Sequence, residues 1–148
     1  MSATYAITGT QTVASPTDTC LGLTSATTVR PEITFFVLGS IGTPADNALQ
    51  WLIARYTAAG TATAVTPLAQ DPGAPASLAA AGENHTAEPT YTAGGTVFNI
   101  GLAQRNTYPW YGDADPIMLP ATAANGIGWQ PVHASYTGDV VVSALFKQ

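Results

Sequence analysis

The sequence is short of charge. Of its 148 residues only four are basic and nine acidic, 9% in all, against the ~25% of an ordinary soluble domain. Four cations, Arg30, Arg55, Arg105 and Lys147, cannot form the cationic footprint that nucleic acid requires. Nor do they make a polybasic patch for anionic lipid. A single cysteine, Cys20, excludes an internal disulfide framework, and its expected state is that of a small buried hydrophobe. No apolar run nears the ~18 residues of a membrane-spanning helix; the longest covers residues 33–38. The opening Met1-Ser2-Ala3-Thr4-Tyr5 has neither a basic segment nor an apolar stretch. It does not read as a secretory signal, so the chain is expected to be made and folded in a cytosol. Leu, Ile, Val and Phe together are scarce, a composition bordering on disorder. A net charge of only −5 argues instead for a folded domain with a modest core.

What the chain has is alanine, threonine, glycine and proline. Thr, Gly and Pro are spread along the whole length and disfavour helix interiors. Residues 45–54, after Pro44, are the best helical candidate, but Trp51, Ile53 and Tyr56 followed by Gly60 favour a strand there. Other strand candidates are residues 4–8, 19–23, 28–39, 61–66, 96–103, 117–119, 128–136 and 139–146. Two of them alternate with a period of two: Phe98, Ile100 and Leu102 share one face, as do Val140, Val142, Ala144 and Phe146. Short strands separated by Gly/Pro turns predict an all-β fold. The expected architecture is one domain over residues 1–148, a jelly-roll-like antiparallel β-sandwich of about eight strands. Residues 1–18 read as an N-terminal arm able to reach a neighbouring subunit. Residues 68–89, rich in turn chemistry, read as a long loop.

Catalytic chemistry is hard to find. His85 and His133 are the only imidazoles, and no Gly-x-Ser-x-Gly elbow accompanies them. His85 is expected to be solvated in the long loop and His133 to be satisfied within a strand. Asp113 and Asp115 could begin a calcium loop, but the remaining ligands are missing and Gly112, Asp113 and Pro116 favour a turn. Glu32 and Glu88 each adjoin a proline and read as structural. With no nucleophile motif, metal cluster or acid/base pair, the chain reads as a non-enzyme without cofactor or metal. The three arginines should each have a specific partner, either within the chain or across a subunit interface. The aromatic cluster Tyr108-Pro109-Trp110-Tyr111 offers large side chains of the kind favoured at interfaces. Arg55, Arg105, Tyr108, Trp110 and Tyr111 are therefore the candidate interface residues. An alternative reading makes the aromatic cluster a sugar-stacking platform of a carbohydrate-binding module.

Several strings resemble a recurrent family of small structural proteins of tailed phages and prophages. They are Thr43-Pro44-Ala45-Asp46-Asn47-Ala48, Arg55-Tyr56-Thr57-Ala58-Ala59-Gly60-Thr61-Ala62-Thr63, Asp71-Pro72-Gly73, Glu88-Pro89-Thr90-Tyr91-Thr92-Ala93-Gly94, Gln104-Arg105-Asn106 and Pro120-Ala121-Thr122-Ala123-Ala124-Asn125-Gly126. The likeness covers residue 35 to the C-terminus. Where the family reads Asn-Gln-Arg-Ala, this chain has Ala103-Gln104-Arg105-Asn106, so no role carries over for that first Asn. In size and character the chain resembles capsid decoration (cement) proteins. The resemblance implies a homotrimer on the outer surface of the virion head, with the major capsid protein as partner and no nucleic acid or membrane contact. It implies no catalytic residues. Other virion roles within the same resemblance are a head-fibre base or a tail component.

Overall fold

The computed structural model describes residues 2–13, 17–132, 136 and 138–148. Its described residues form twelve strands: β1 (Thr4–Val13), β2 (Leu21–Thr24), β3 (Glu32–Ile41), β4 (Ala48–Ala58), β5 (Thr61–Val65), β6 (Leu68–Ala69), β7 (Ala80–Ala87), β8 (Thr90–Ala103), β9 (Tyr108–Tyr111), β10 (Ile117–Met118), β11 (Gly126–Val132) and β12 (Gly138–Lys147). They make two antiparallel sheets packed as a sandwich. The first runs β10-β3-β12-β1-β6, with β9 also pairing with β3; the second runs β5-β7-β2-β11-β4-β8. With β5 to β7 set aside, β1, β2, β3 and β4 alternate between the sheets. From β8 onward the chain alternates again through β9/β10, β11 and β12. That order is compatible with a jelly roll.

The strands form where alternation lets one face be buried. Tyr5, Ile7, Gln11 and Val13 of β1 point inward with Val140, Val142, Ala144 and Phe146 of β12. Facing them are Leu21 and Leu23, Leu49, Trp51 and Ile53, and Ile127 and Trp129. Phe36 is the hub between the layers. Its ring stacks on Trp110 at 5.1 Å and meets Phe98 and Trp129 edge-on at 5.9 and 6.0 Å. Residues 45–54 are not helical, since 48–58 belong to β4. Pro131 sits in β11 beyond the reach of β2, whose pairing ends at Trp129, so its missing N–H interrupts no ladder on that side.

Two expectations are corrected. Residues 4–13 are not an arm: β1 lies inside the first sheet, paired with β12 from Thr4 opposite Lys147 to Val13 opposite Gly138. Burying its apolar alternation is more favourable than leaving Tyr5 and Ile7 in water. Nor are residues 68–89 one loop. They contain β6 and all of β7, an interior strand between β5 and β2. Turn chemistry prevails over 70–79 and at 88–89. The inward side chains of β7 are too small or polar to give an apolar period. Together with β9, which the sequence presents as an aromatic cluster, these segments raise the strand number above eight.

Cys20 is fully buried, its sulfur 3.4 Å from the Gly9 carbonyl oxygen. Burial pushes the thiol far above its ordinary value, and the Glu83 carboxylate adds to the rise. Since the thiolate is the reactive form, Cys20 is expected to resist alkylation by iodoacetamide in the native protein. It should react fully in denaturant, as read by intact-protein mass. Prompt native labelling would contradict the burial.

Candidate docking cleft and its surroundings

The sandwich is open along one side, between the outer edge of β8 in one sheet and β9/β10 in the other. A cleft of about 550 Å³ lies there, lined by Arg55, Val97, Phe98, Trp110, Tyr111, Gly112, Asp115 and Met118 among others. Three of the five candidate interface residues meet in it.

Each arrives by a local irregularity. Arg55 sits where β4 and β8 lose register, between Ala54 and Tyr56. Its side chain crosses to the other sheet and donates from Nη1 to the Met118 carbonyl oxygen at 2.8 Å. Trp110 turns inward from β9, stacked on Phe36 and edge-on to Phe98 at 5.5 Å. Gly112 follows because an added Cβ would overlap the Trp110 six-membered ring. Tyr111 points the other way, 72% exposed, with its ring 5.2 Å from Phe35. Asp113 and Asp115 are exposed in the bend between β9 and β10. Among the described residues no group of three His, Cys, Asp or Glu side chains could hold a metal ion.

The other two candidates lie elsewhere. Tyr108 is half-buried beside Phe36. Arg105 pairs with Asp46 at 2.6 Å, both largely exposed; such pairs contribute little to stability. Arg30 donates to the Leu119 carbonyl oxygen. All three arginines thus have partners within the chain. Sequence reasoning missed Phe98 and Asp115 as cleft residues, because their meeting depends on which sheet edges face each other.

A row of apolar side chains starts at the rim of the cleft. On the outer face of the first sheet the pairings place Tyr111 opposite Phe35, Phe35 opposite Leu145, Leu145 opposite Ala6, and Ala6 opposite Leu68. The row therefore crosses five strands. Leu68 is 70% exposed. Part of the row floors a groove of about 490 Å³.

The outer face of the second sheet carries a polar cluster instead. The Glu88 carboxylate accepts from the Thr19 N–H at 2.9 Å, from the Thr19 hydroxyl and from Gln130 Nε2 at 3.2 Å. The Tyr91 and Tyr56 hydroxyls meet Thr19 and Thr24, each at 2.7 Å. Burial raises both phenols, Tyr56 to about 12. The cluster pins the approach to β2 against the turn between β7 and β8, so Glu88 is structural as expected.

His85 departs from expectation. It is 5% exposed, and its Nδ1 donates to the Thr19 carbonyl oxygen at 2.9 Å. Desolvation lowers its pKa below the ordinary 6.5, against smaller opposing effects from the Thr19 carbonyl and the Glu88 carboxylate. A lowered folded-state value means that stability is fully present above about pH 6.5 and lost as pH falls through the folded-state value. Urea unfolding below pH 6.5 should show that loss, and His85→Gln should flatten it. An unchanged slope in His85→Gln would assign the acid sensitivity elsewhere. His133 lies outside the described residues.

No family model, curated protein or solved structure matches the chain.

Proposed function

We propose that this protein is a non-enzymatic capsid decoration protein of a tailed phage. It binds the outer surface of the head as a homotrimer with a jelly-roll fold and stabilises the shell by bridging subunits of the major capsid protein. The observation that carries this reading is the apolar row Tyr111, Phe35, Leu145, Ala6 and Leu68 across the outer face of a sheet in a chain so poor in charge. An apolar row that runs unbroken across five strands, exposed at Tyr111 and Leu68 and half-buried between them, is the kind of patch that marks protein contact, and sandwiches of this kind are common in viral shells. Its neighbours in the sheet confine charge to the ends of the face, with Glu32 and Lys147 opposite each other at one end and Asp139 at the other. The sequence resemblance supports the same role. The sugar-platform alternative gains no support, because Phe36 covers a face of the Trp110 ring and only Tyr111 of the three aromatics is exposed.

The test combines solution mass with sedimentation. The purified protein is expected at three times the 15.2 kDa of one chain and is expected to pellet with expanded capsids. A monomer that stays in the supernatant removes the reading.

A further inference from the structure

Residues 98–103 of β8 pair in unbroken register with β4, from Phe98 opposite Ile53 to Ala103 opposite Ala48. Among the described residues no strand pairs with their other side. A free strand edge presents unpaired N–H and C=O groups, and proteins usually guard it with lysine, proline or a bulge. Phe98-Asn99-Ile100-Gly101-Leu102-Ala103 has no charge and no proline, and the register shifts of β8 lie before it.

The Arg55 cleft opens at the Phe98 end of that edge. Arginine carries five N–H donors. The Met118 carbonyl takes one, and among the described residues no carboxylate pairs with Arg55. The surrounding walls are Val97, Phe98, Trp110 and Met118, and Asp115, which lines the same cleft, forms no ion pair with Arg55. A carboxylate brought in from outside would meet the guanidinium in a charge-assisted pair, stronger than a neutral hydrogen bond. A second copy of this chain fits less well. Two β8 edges brought together offer no acid from the paired residues 98–103 themselves, so the strand pairing would bring no carboxylate to either Arg55.

We propose that β8 accepts an extended segment of another protein as an added strand, and that an acidic side chain of that segment binds Arg55. Backbone pairing supplies the generic attraction, and the carboxylate fixes the register. Naming the donor as the major capsid protein rests on the function proposed above; the strand and carboxylate chemistry does not.

Two arms test this. In the first, hydrogen exchange is measured on the full chain, alone and on expanded empty shells. The amides of 98–103 are expected to slow by about tenfold or more on the shell. Arg55→Gln is expected to weaken shell binding about tenfold. Because Arg55 also holds the Met118 carbonyl, Gly101→Lys is a second variant. An added Cβ there meets nothing within 4 Å, so the fold should survive while the lysine guards the edge. In the second arm, short Thr-Val peptides with one central Glu, or Gln in its place, are titrated into the isolated protein and followed by amide NMR shifts. The Glu peptide should bind about fivefold or more tightly, with the preference absent in Arg55→Gln. Shell binding that leaves 98–103 unprotected overturns the inference while the decoration role stands. Failure on shells with the Glu preference retained removes that role and supports the inference. Absence of any Glu preference, or dimerisation through β8, overturns the inference.

Discussion

Replacing Phe36 by alanine is expected to cost about 3–5 kcal/mol of folding stability. The side chain is fully buried and is the one ring that touches Trp110, Tyr108, Phe98 and Trp129 together. Removing it takes away the transfer free energy of a phenyl group. It also leaves a hole between rings anchored in both sheets, which cannot close without moving strands. In a chain with few large apolar residues, little else can take over. Domains of this size are stable by only about 5–15 kcal/mol, so the variant should melt at least ~10 °C lower. Phe36→Leu, which keeps most of the volume, should lose less than half as much. Urea melts of the three proteins decide the matter. A loss under about 1 kcal/mol for Phe36→Ala would mean that the sheets are held together elsewhere. The same substitution should loosen Trp110, so the cleft depends on the hub beneath it.

The second large effect is expected from Gly126→Ala. Gly126 opens β11 and pairs with Thr24 on one side and Tyr56 on the other. An added Cβ would overlap the Leu23 carbonyl oxygen and the Tyr56 ring, well inside the 3.0 Å that real Cβ atoms keep. The Leu23 carbonyl belongs to the neighbouring strand, so relief requires a shift of β2 or β11 in the middle of the sheet. We expect a loss of about 3 kcal/mol or more, at the upper end for overpacking. Gly101→Ala is the control. It has open space around it, and it should be neutral to slightly stabilising, because alanine narrows the unfolded ensemble. Trimming the ring in the double variant Gly126→Ala/Tyr56→Ala should not restore stability, since the carbonyl overlap remains. Rescue by Tyr56→Ala would place the strain on the ring. Thermal unfolding of the three variants beside the parent protein separates these outcomes.

The cleft illustrates how sequence and structure divide the information. Arg55 stood out because arginine is rare in this chain, and Trp110 and Tyr111 because they stand in an aromatic cluster. Neither feature said anything about position. Arg55 reaches the cleft because β4 and β8 slip register around it. Trp110 and Tyr111 end on opposite faces because β9 pairs with β3 and so adopts a period of two. Arg105 had the same credentials as Arg55, yet its nearest acid is Asp46, and the exposed pair lies outside the cleft. His85 was misplaced for a related reason. Its segment has the composition of a turn, and only pairing of β7 with β2 turns the imidazole toward Thr19.

By itself the sequence determined the all-β class and the buried faces of β8 and β12, because alternation and scarce helix formers are local properties of the chain. It likewise determined that Cys20 would be buried and that the surface would carry little charge. Only the tertiary structure decided that β1 belongs to a sheet, that β7 exists, and that β8 is left with an open edge beside Arg55. Those facts are set by which strands become neighbours. Strand pairing joins residues far apart in the chain through backbone groups that every residue shares, so it leaves little mark in composition or period.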